Sequence, residues 1–177
     1  MRSPTLLATA AAFALACGLG AAEPTPTTID SISAESISTD TETTTTFHDQ
    51  VSATGNDLVL TCDFLKVIAT RVGDKSATLG QYGRFKYMLA TGHVRIVQGD
   101  RVATCGRAEV FPGEDRIVLT ENPVVSIVSE GYKVNGPRMV LYRGQRRAVV
   151  EGTPQERTHV TLPAMKDLGF PSQTPAK

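Results

Sequence analysis

The sequence predicts an all-β fold built from repeated strand units, and three observations carry that prediction. Turn signals recur along the second half of the chain, at Gly92, Gly99-Asp100, Pro112-Gly113-Glu114, Glu121-Asn122, Glu130-Gly131, Arg143-Gly144-Gln145 and Gly152-Thr153-Pro154. From Gly99 onward they mostly fall 8 to 14 residues apart, the even spacing of a sandwich, a jelly roll or a β-solenoid. Between them apolar residues recur with a period of two: Val94 and Ile96 flank Arg95, Ile117 and Leu119 flank Val118, and Met139 and Leu141 flank Val140. Such alternation turns every second side chain to one face of a sheet. Finally, no long amphipathic helical pattern interrupts these segments, tryptophan is absent, and 15 Gly with 10 Pro punctuate the 177 residues.

The elements follow in chain order. Arg2 supplies a short positive region, and Leu6 to Leu19 are apolar and alanine-rich, ending near the small residues Gly20 and Ala22. This reads as a cleavable secretory signal over residues 1–22, too short and too alanine-rich for a good membrane span. An uncleaved anchor is the bland alternative. A third reading is a lipoprotein acylated at Cys17, because Ala14-Leu15-Ala16-Cys17 loosely matches a lipobox; leucine is more usual where Ala14 stands.

Residues 23–46 are rich in Ser and Thr, acidic, and poor in large apolar side chains. Such a segment buries too little surface to offset its ordering entropy, so it is expected to be a disordered linker. The tail 163–177 carries three prolines and little periodicity and is also expected to be disordered. The folded domain is thereby placed at residues 47–162.

Within it the strands repeat. Val51 to Val67, Val94 to Val110 and Val125 to Leu141 each read as an apolar strand, a polar turn near Gly, a second strand, a small residue and a third apolar stretch. The small residues are Cys62, Cys105 and Gly136; the second interval is 31 residues and the first 43, which places an insertion around Gly73 to Gly83. A period of this size points to stacked rungs that bury their apolar faces against one another. Stacked strands lie about 4.8 Å apart, close to the Cα separation of a disulfide. In an oxidising compartment the expectation is that Cys62 and Cys105 occupy equivalent places in adjacent rungs and are bonded. Two buried thiols are the alternative.

Charge is unevenly distributed. From Glu23 to Asp63 there are eight acids and no Lys or Arg, whereas Arg84 to Arg157 holds twelve Lys plus Arg and eight acids. The zero net charge of the chain and the export signal together argue against nucleic acid as a partner.

The stretch A-T-G-H-V-R-I-V-Q-G-D-R-V-A-T-C-G-R-A-E-V-F-P-G-E-D-R-I-V-L-T-E-N-P-V-V, Ala90 to Val125, resembles the OstA-like family. That family includes the periplasmic lipopolysaccharide transport proteins LptA and LptC and the N-terminal domain of LptD. Gly131 to Tyr142, G-Y-K-V-N-G-P-R-M-V-L-Y, looks like the family's next step. The clear match spans Gly83 to Gly152, and Val51 to Val67 matches more weakly. The resemblance implies a twisted β jelly roll of stacked antiparallel strands, open at the ends. It implies a periplasmic, non-enzymatic protein that takes up lipopolysaccharide acyl chains in its apolar interior. Partners would be LptC-like and LptD-like domains paired through edge strands, with head-to-tail self-association also implied.

Two sets of residues are candidates for this role. Val94, Ile96, Val110, Ile117, Leu119, Val125, Ile127, Val134, Met139 and Leu141 are expected to share one face and line the lipid-binding interior, against the plainer reading of a filled core. Arg95, Arg101, Arg107 and Arg138 are candidates for phosphates or sugar acids of the headgroup, against a solvated face with edge-protecting cations. No catalytic constellation is found: His48, His93 and His159 are isolated, and the sequence has no C-x-x-C, G-x-S-x-G, H-E-x-x-H or P-loop. No metal or cofactor is therefore expected. The competing reading is a structural or adaptor β-repeat module that binds only proteins, through its edges.

Overall fold

The computed structural model describes residues 26–55, 58–142, 145 and 147–163. The expected signal segment with Cys17, Arg143 and Gly144 of an expected turn, and the tail beyond Pro163 lie outside these. Among the described residues twelve strands follow one another: β1 (Thr28–Asp30), β2 (Ser33–Ser38), β3 (Glu42–Gly55), β4 (Leu58–Val72), β5 (Gln81–Gln98), β6 (Arg101–Phe111), β7 (Arg116–Thr120), β8 (Val124–Ile127), β9 (Tyr132–Asn135), β10 (Arg138–Tyr142), β11 (Arg147–Glu151) and β12 (His159–Thr161). A 3-10 turn, Pro112–Glu114, links β6 to β7. All the pairings are antiparallel, in one sheet with β3, β4, β5 and β6 as its central run.

That run is bent in the middle, and the bend makes the fold. The register shifts between His48 and Val51, between Thr61 and Phe64, and between Thr91 and Val94. These bulges stand side by side across three strands, and each kinks and twists its strand. Positive φ angles at Asp49, Gln50, Gly92, His93, Glu121 and Asn122 carry the kink across the sheet. Gly106 continues it on β6, donating its backbone N–H to the Glu121 carbonyl at 2.8 Å. At Gly92 the left-handed backbone (φ +75°) and the closeness of Asp63 both demand glycine, since a Cβ there would lie 2.8 Å from Asp63 Cβ.

Each long strand therefore serves two leaves. The first leaf contains β2, the N-terminal half of β3, the C-terminal half of β4, the N-terminal half of β5, the C-terminal half of β6, then β7, β10 and β11. The second contains β1 and the complementary halves, then β8, β9 and β12. Their inner faces meet in one apolar cluster, in which Leu65, Leu119 and Met139 of the first leaf join Ala53, Leu60 and Val134 of the second. This is the open, bent antiparallel architecture of a jelly roll, in agreement with the fold class read from the sequence.

Two expectations are overturned. Residues 28–46, expected to be disordered, form β1, β2 and the first part of β3, so the boundary drawn at Phe47 falls inside a strand. The threonines explain the difference. They are β-branched and suit a pleated surface, and Thr43 and Thr45 are 1% and 5% exposed on the inner face. Their hydroxyls pair with Ser38 and Ser36 of β2, each at 3.1 Å, so burial leaves no polar group unmatched. The segment gains its core from Val67 and Ala69, its register partners on β4.

The disulfide is not formed either: Cys62 and Cys105 are buried free thiols. The first two repeat units each span parts of two strands, β3 with β4 and β5 with β6. Cys62 lies on β4 and Cys105 on β6, opposite Val94 of the intervening β5. Two strand spacings amount to roughly 9–10 Å, beyond the reach of a disulfide. Burial pushes both thiols up to about 11.

The insertion between the first two units is partly the loop from Gly73 to Gly80 and partly added length in β4 and β5. Arg71 fastens that loop to the body. Its guanidinium donates to the carbonyls of Thr39, Asp74, Lys75 and Ala77 at 2.5 to 3.3 Å.

Candidate functional site

The inner face is laid out as rows of side chains running across the strands. One row passes through Leu65, Ala90, Ala108, Leu119 and Met139 to Val150; the next passes through Thr45, Val67, Met88, Val110, Ile117 and Leu141. On the second leaf a row runs from Ala53 through Leu60, Ile96, Ala103 and Val125 to Val134. Eight of the ten apolar candidates lie on these inner rows; Ile127 stands on the next one beside Tyr132, and Val94 pairs with Cys105 at the bend.

The rows are filled unevenly along the stack. Towards the C-terminal end Leu119, Met139 and Val134 are at most 4% exposed, and Val150 packs against them from β11. Of the candidates, Val94, Leu119, Val134 and Met139 thus belong to closed core, with Ile96, Ile117, Val125 and Leu141 packed against it. Towards the N-terminal end the leaves part. Here an apolar cleft of about 270 Å³ opens between Ile29 of β1 and Phe47, Val67, Tyr82 and Phe85 of the first leaf. Tyr82 and Phe85 are 48% and 44% exposed. The polar side-chain groups of its lining residues are hydroxyls, with Tyr82 Oη and Thr45 Oγ1 hydrogen-bonded at 2.6 Å.

A second cleft adjoins the first and shares Phe85 with it. It measures about 400 Å³ and is lined by Thr70, Arg84, Lys86 and Gly113. Its existence follows from strand lengths. The β5–β6 ladder begins only at Met88, so Gln81 to Tyr87 overhang β6 and face the Pro112–Glu114 turn. Sequence reading missed this overhang, although its pattern Q-Y-G-R-F-K-Y interleaves aromatic and basic residues.

The four candidate arginines are not brought together. Arg95 is exposed on the outer face of the second leaf, between Thr61 and Thr104. Arg101 alone occupies an inner row, at the margin next to Ile127. Arg107 and Arg138 sit on the outer face of the first leaf, ion-paired to Glu109 at 2.7 Å and to Glu151 respectively. Glu109 also accepts the Tyr87 hydroxyl at 2.8 Å. The hydrogen bonds from Arg107 and then Tyr87 hold its carboxyl below the usual range. Beside them Tyr87 and Phe111 pack at 5.3 Å, and Arg116 lies 4.4 Å over the Phe111 ring. The outer face carries pairs within a strand, such as Arg107–Glu109, and across strands, such as Tyr87–Glu109 and Arg138–Glu151, that stabilise the sheet.

An open jelly roll with a continuous apolar lining, wider at one end, has a counterpart among known families. A family described as "LptA/(LptD N-terminal domain) LPS transport protein" matches residues 29–147. The chain belongs to this lipopolysaccharide transport family. The match begins within β1 and so includes the threonine-rich strands. Among solved structures, the chain is similar to LptH of Pseudomonas aeruginosa, the LptA-homologous periplasmic component of a lipopolysaccharide transport device. The likeness has a TM-score of 0.60 at 16% identity and covers 78% of this chain and 96% of that one. At that identity the likeness speaks for the LptA-type fold. No curated protein matches the sequence.

Proposed function

We propose that this protein is a periplasmic carrier that shields the acyl chains of lipopolysaccharide between its two leaves during transfer to the outer membrane. The observation that carries the proposal is the apolar inner face that is closed at one end of the stack and opens into a cleft at the other. An acyl chain crossing water exposes apolar surface at about 0.8 kcal/mol per CH₂, and a cleft walled by Phe47, Val67 and Phe85 relieves that cost without chemistry. Family membership supports lipopolysaccharide as the cargo. LptC-like and LptD-like domains are proposed as neighbours, paired through the outer strands β1, β2, β11 and β12, whose outer edges are unpaired among the described residues and suit strand addition. Head-to-tail pairing of two copies would use the same edges.

The test is photo-crosslinking from a reactive residue placed at Phe85, and separately at Ile96, in cells making lipopolysaccharide. Adducts carrying lipopolysaccharide are expected at Phe85. Adducts with proteins alone at both positions would discard the carrier in favour of an adaptor acting only through its edges.

A further inference from the structure

We infer that the overhang of β5 is a bipartite site for an anionic amphiphile, with Arg84 selecting a phosphorylated head while Phe85 and Tyr82 hold the chain. This rests on the carrier reading and adds where, and by which residues, the head is told from the tail. Phe85 is the common wall of two adjoining clefts that differ in the charge of the side chains bordering them. On one side lie Ile29, Phe47, Val67 and the Tyr82 ring, an environment for hydrocarbon. On the other lie Arg84, Lys86 and Thr70, an environment for an anion. An amphiphile presents these two chemistries next to each other, joined at the head–tail junction.

The two cations differ in availability. Lys86 is held by Glu42. Arg84 is exposed and has no carboxylate partner among the described residues. Its backbone is nevertheless fixed, because its N–H donates to Thr70 Oγ1 at 2.8 Å. The strands approach closely here, since a Cβ on Gly83 would lie 2.9 Å from Val72 Cγ1. A guanidinium with free donors, carried on a backbone held in place, fits phosphate oxygens in a two-pronged way that an ammonium does not. None of the arginines singled out from sequence combines a free head with an adjoining apolar cleft.

Calorimetric titration of the purified protein with decyl phosphate, neutral decyl glucoside and inorganic phosphate separates the contributions. Wild type is expected to bind decyl phosphate about tenfold more tightly than decyl glucoside, a single charge-assisted contact, with inorganic phosphate weaker than either. Arg84→Ala is expected to bring the two decyl compounds within about twofold of each other. Phe85→Ala weakens both and keeps their ratio. Arg95→Ala, on the outer face of the other leaf, changes nothing, and the thermal midpoint of each variant reports its folding.

A head preference that survives Arg84→Ala overturns the inference. So does inorganic phosphate binding as tightly as decyl phosphate, which would mark a site for free anions. Lipopolysaccharide crosslinks from Ile96 without any head preference at the mouth would defeat the bipartite site and leave the carrier standing. Failure of both decyl compounds to bind, with no lipid crosslinks, would defeat both.

Discussion

Leu119→Ala and Phe85→Ala should separate the part of the inner face that holds the fold together from the part that is free to receive a ligand. Leu119 has no exposed surface, and its row partners Ala108 and Met139 are themselves buried. Truncating it removes a full buried side chain and leaves a cavity that this packed end cannot close, a loss of about 3–5 kcal/mol. For a domain of this size that lowers the thermal midpoint by roughly 10–15 °C. Phe85 is 44% exposed and borders two clefts, so its truncation removes contacts on one side only and leaves no sealed cavity. A cost of about 1 kcal/mol is expected, or roughly 3–5 °C. Thermal melts by circular dichroism, with urea midpoints as a second measure, give both values. Equal losses for the two variants would refute the division of the inner face into a closed end and an open mouth. A loss under about 1 kcal/mol at Leu119 would show that the closed end is not packed as described.

Three further outcomes follow from the same geometry. Cys62 and Cys105, buried and with thiols pushed up to about 11, should resist alkylation near pH 8 in the native protein and react fully in denaturant. Gel mobility should be the same with and without reductant, and a reductant-dependent shift would restore the bridge. Gly92→Ala forces a Cβ into a left-handed backbone against Asp63 and disturbs the Asp63–His93 contact of 2.7 Å. It should cost about 1–2 kcal/mol in urea denaturation, and no change would remove the strict need for glycine at the bend. Glu109 has its pKa lowered in the folded state from its ordinary 4.5. Its contribution is therefore present above that value and lost as pH falls through the lowered one. Glu109→Gln should flatten the acid limb of the stability curve below about pH 4.5, and an unchanged limb would show that the pair with Arg107 carries no net stability.

What the sequence made legible is what period two encodes. The alternation at Val94–Ile96, Ile117–Leu119 and Met139–Leu141 assigns strands and also places eight of the ten candidates on inner rows. What it left hidden depends on neighbours distant in sequence. Thr43 and Thr45 look like linker residues by hydropathy, yet they are buried because Ser38, Ser36 and Tyr82 supply hydroxyls across other strands. The cysteines match in the repeat, but whether matching points are neighbours depends on how many strands each unit contributes. Arginines could be listed from sequence, but whether each meets a carboxylate could not. Arg107 and Arg138 do so through partners on the same face, while Arg84, just past the expected insertion, meets none among the described residues.

The mouth and the closed end are made by the same rows, and the change from one to the other lies in side-chain volume. Where β7, β10 and β11 join the first leaf, each row ends in Leu119, Met139, Leu141 or Val150, and facing residues of the second leaf meet them. Where β2 and β3 end it, the inner positions beyond Ala34 and Phe47 are the pairs Ser36–Thr45 and Ser38–Thr43. These are short enough to leave space and polar enough to bond one another. Hydroxyl pairs such as Ser36–Thr45 keep the small residues in place, so the leaf stays ordered without being filled. A leucine-rich row there would close the cleft and gain stability at the expense of an opening. The acidic, threonine-rich composition that hides these strands in the sequence is therefore the same property that leaves the inner face open at this end.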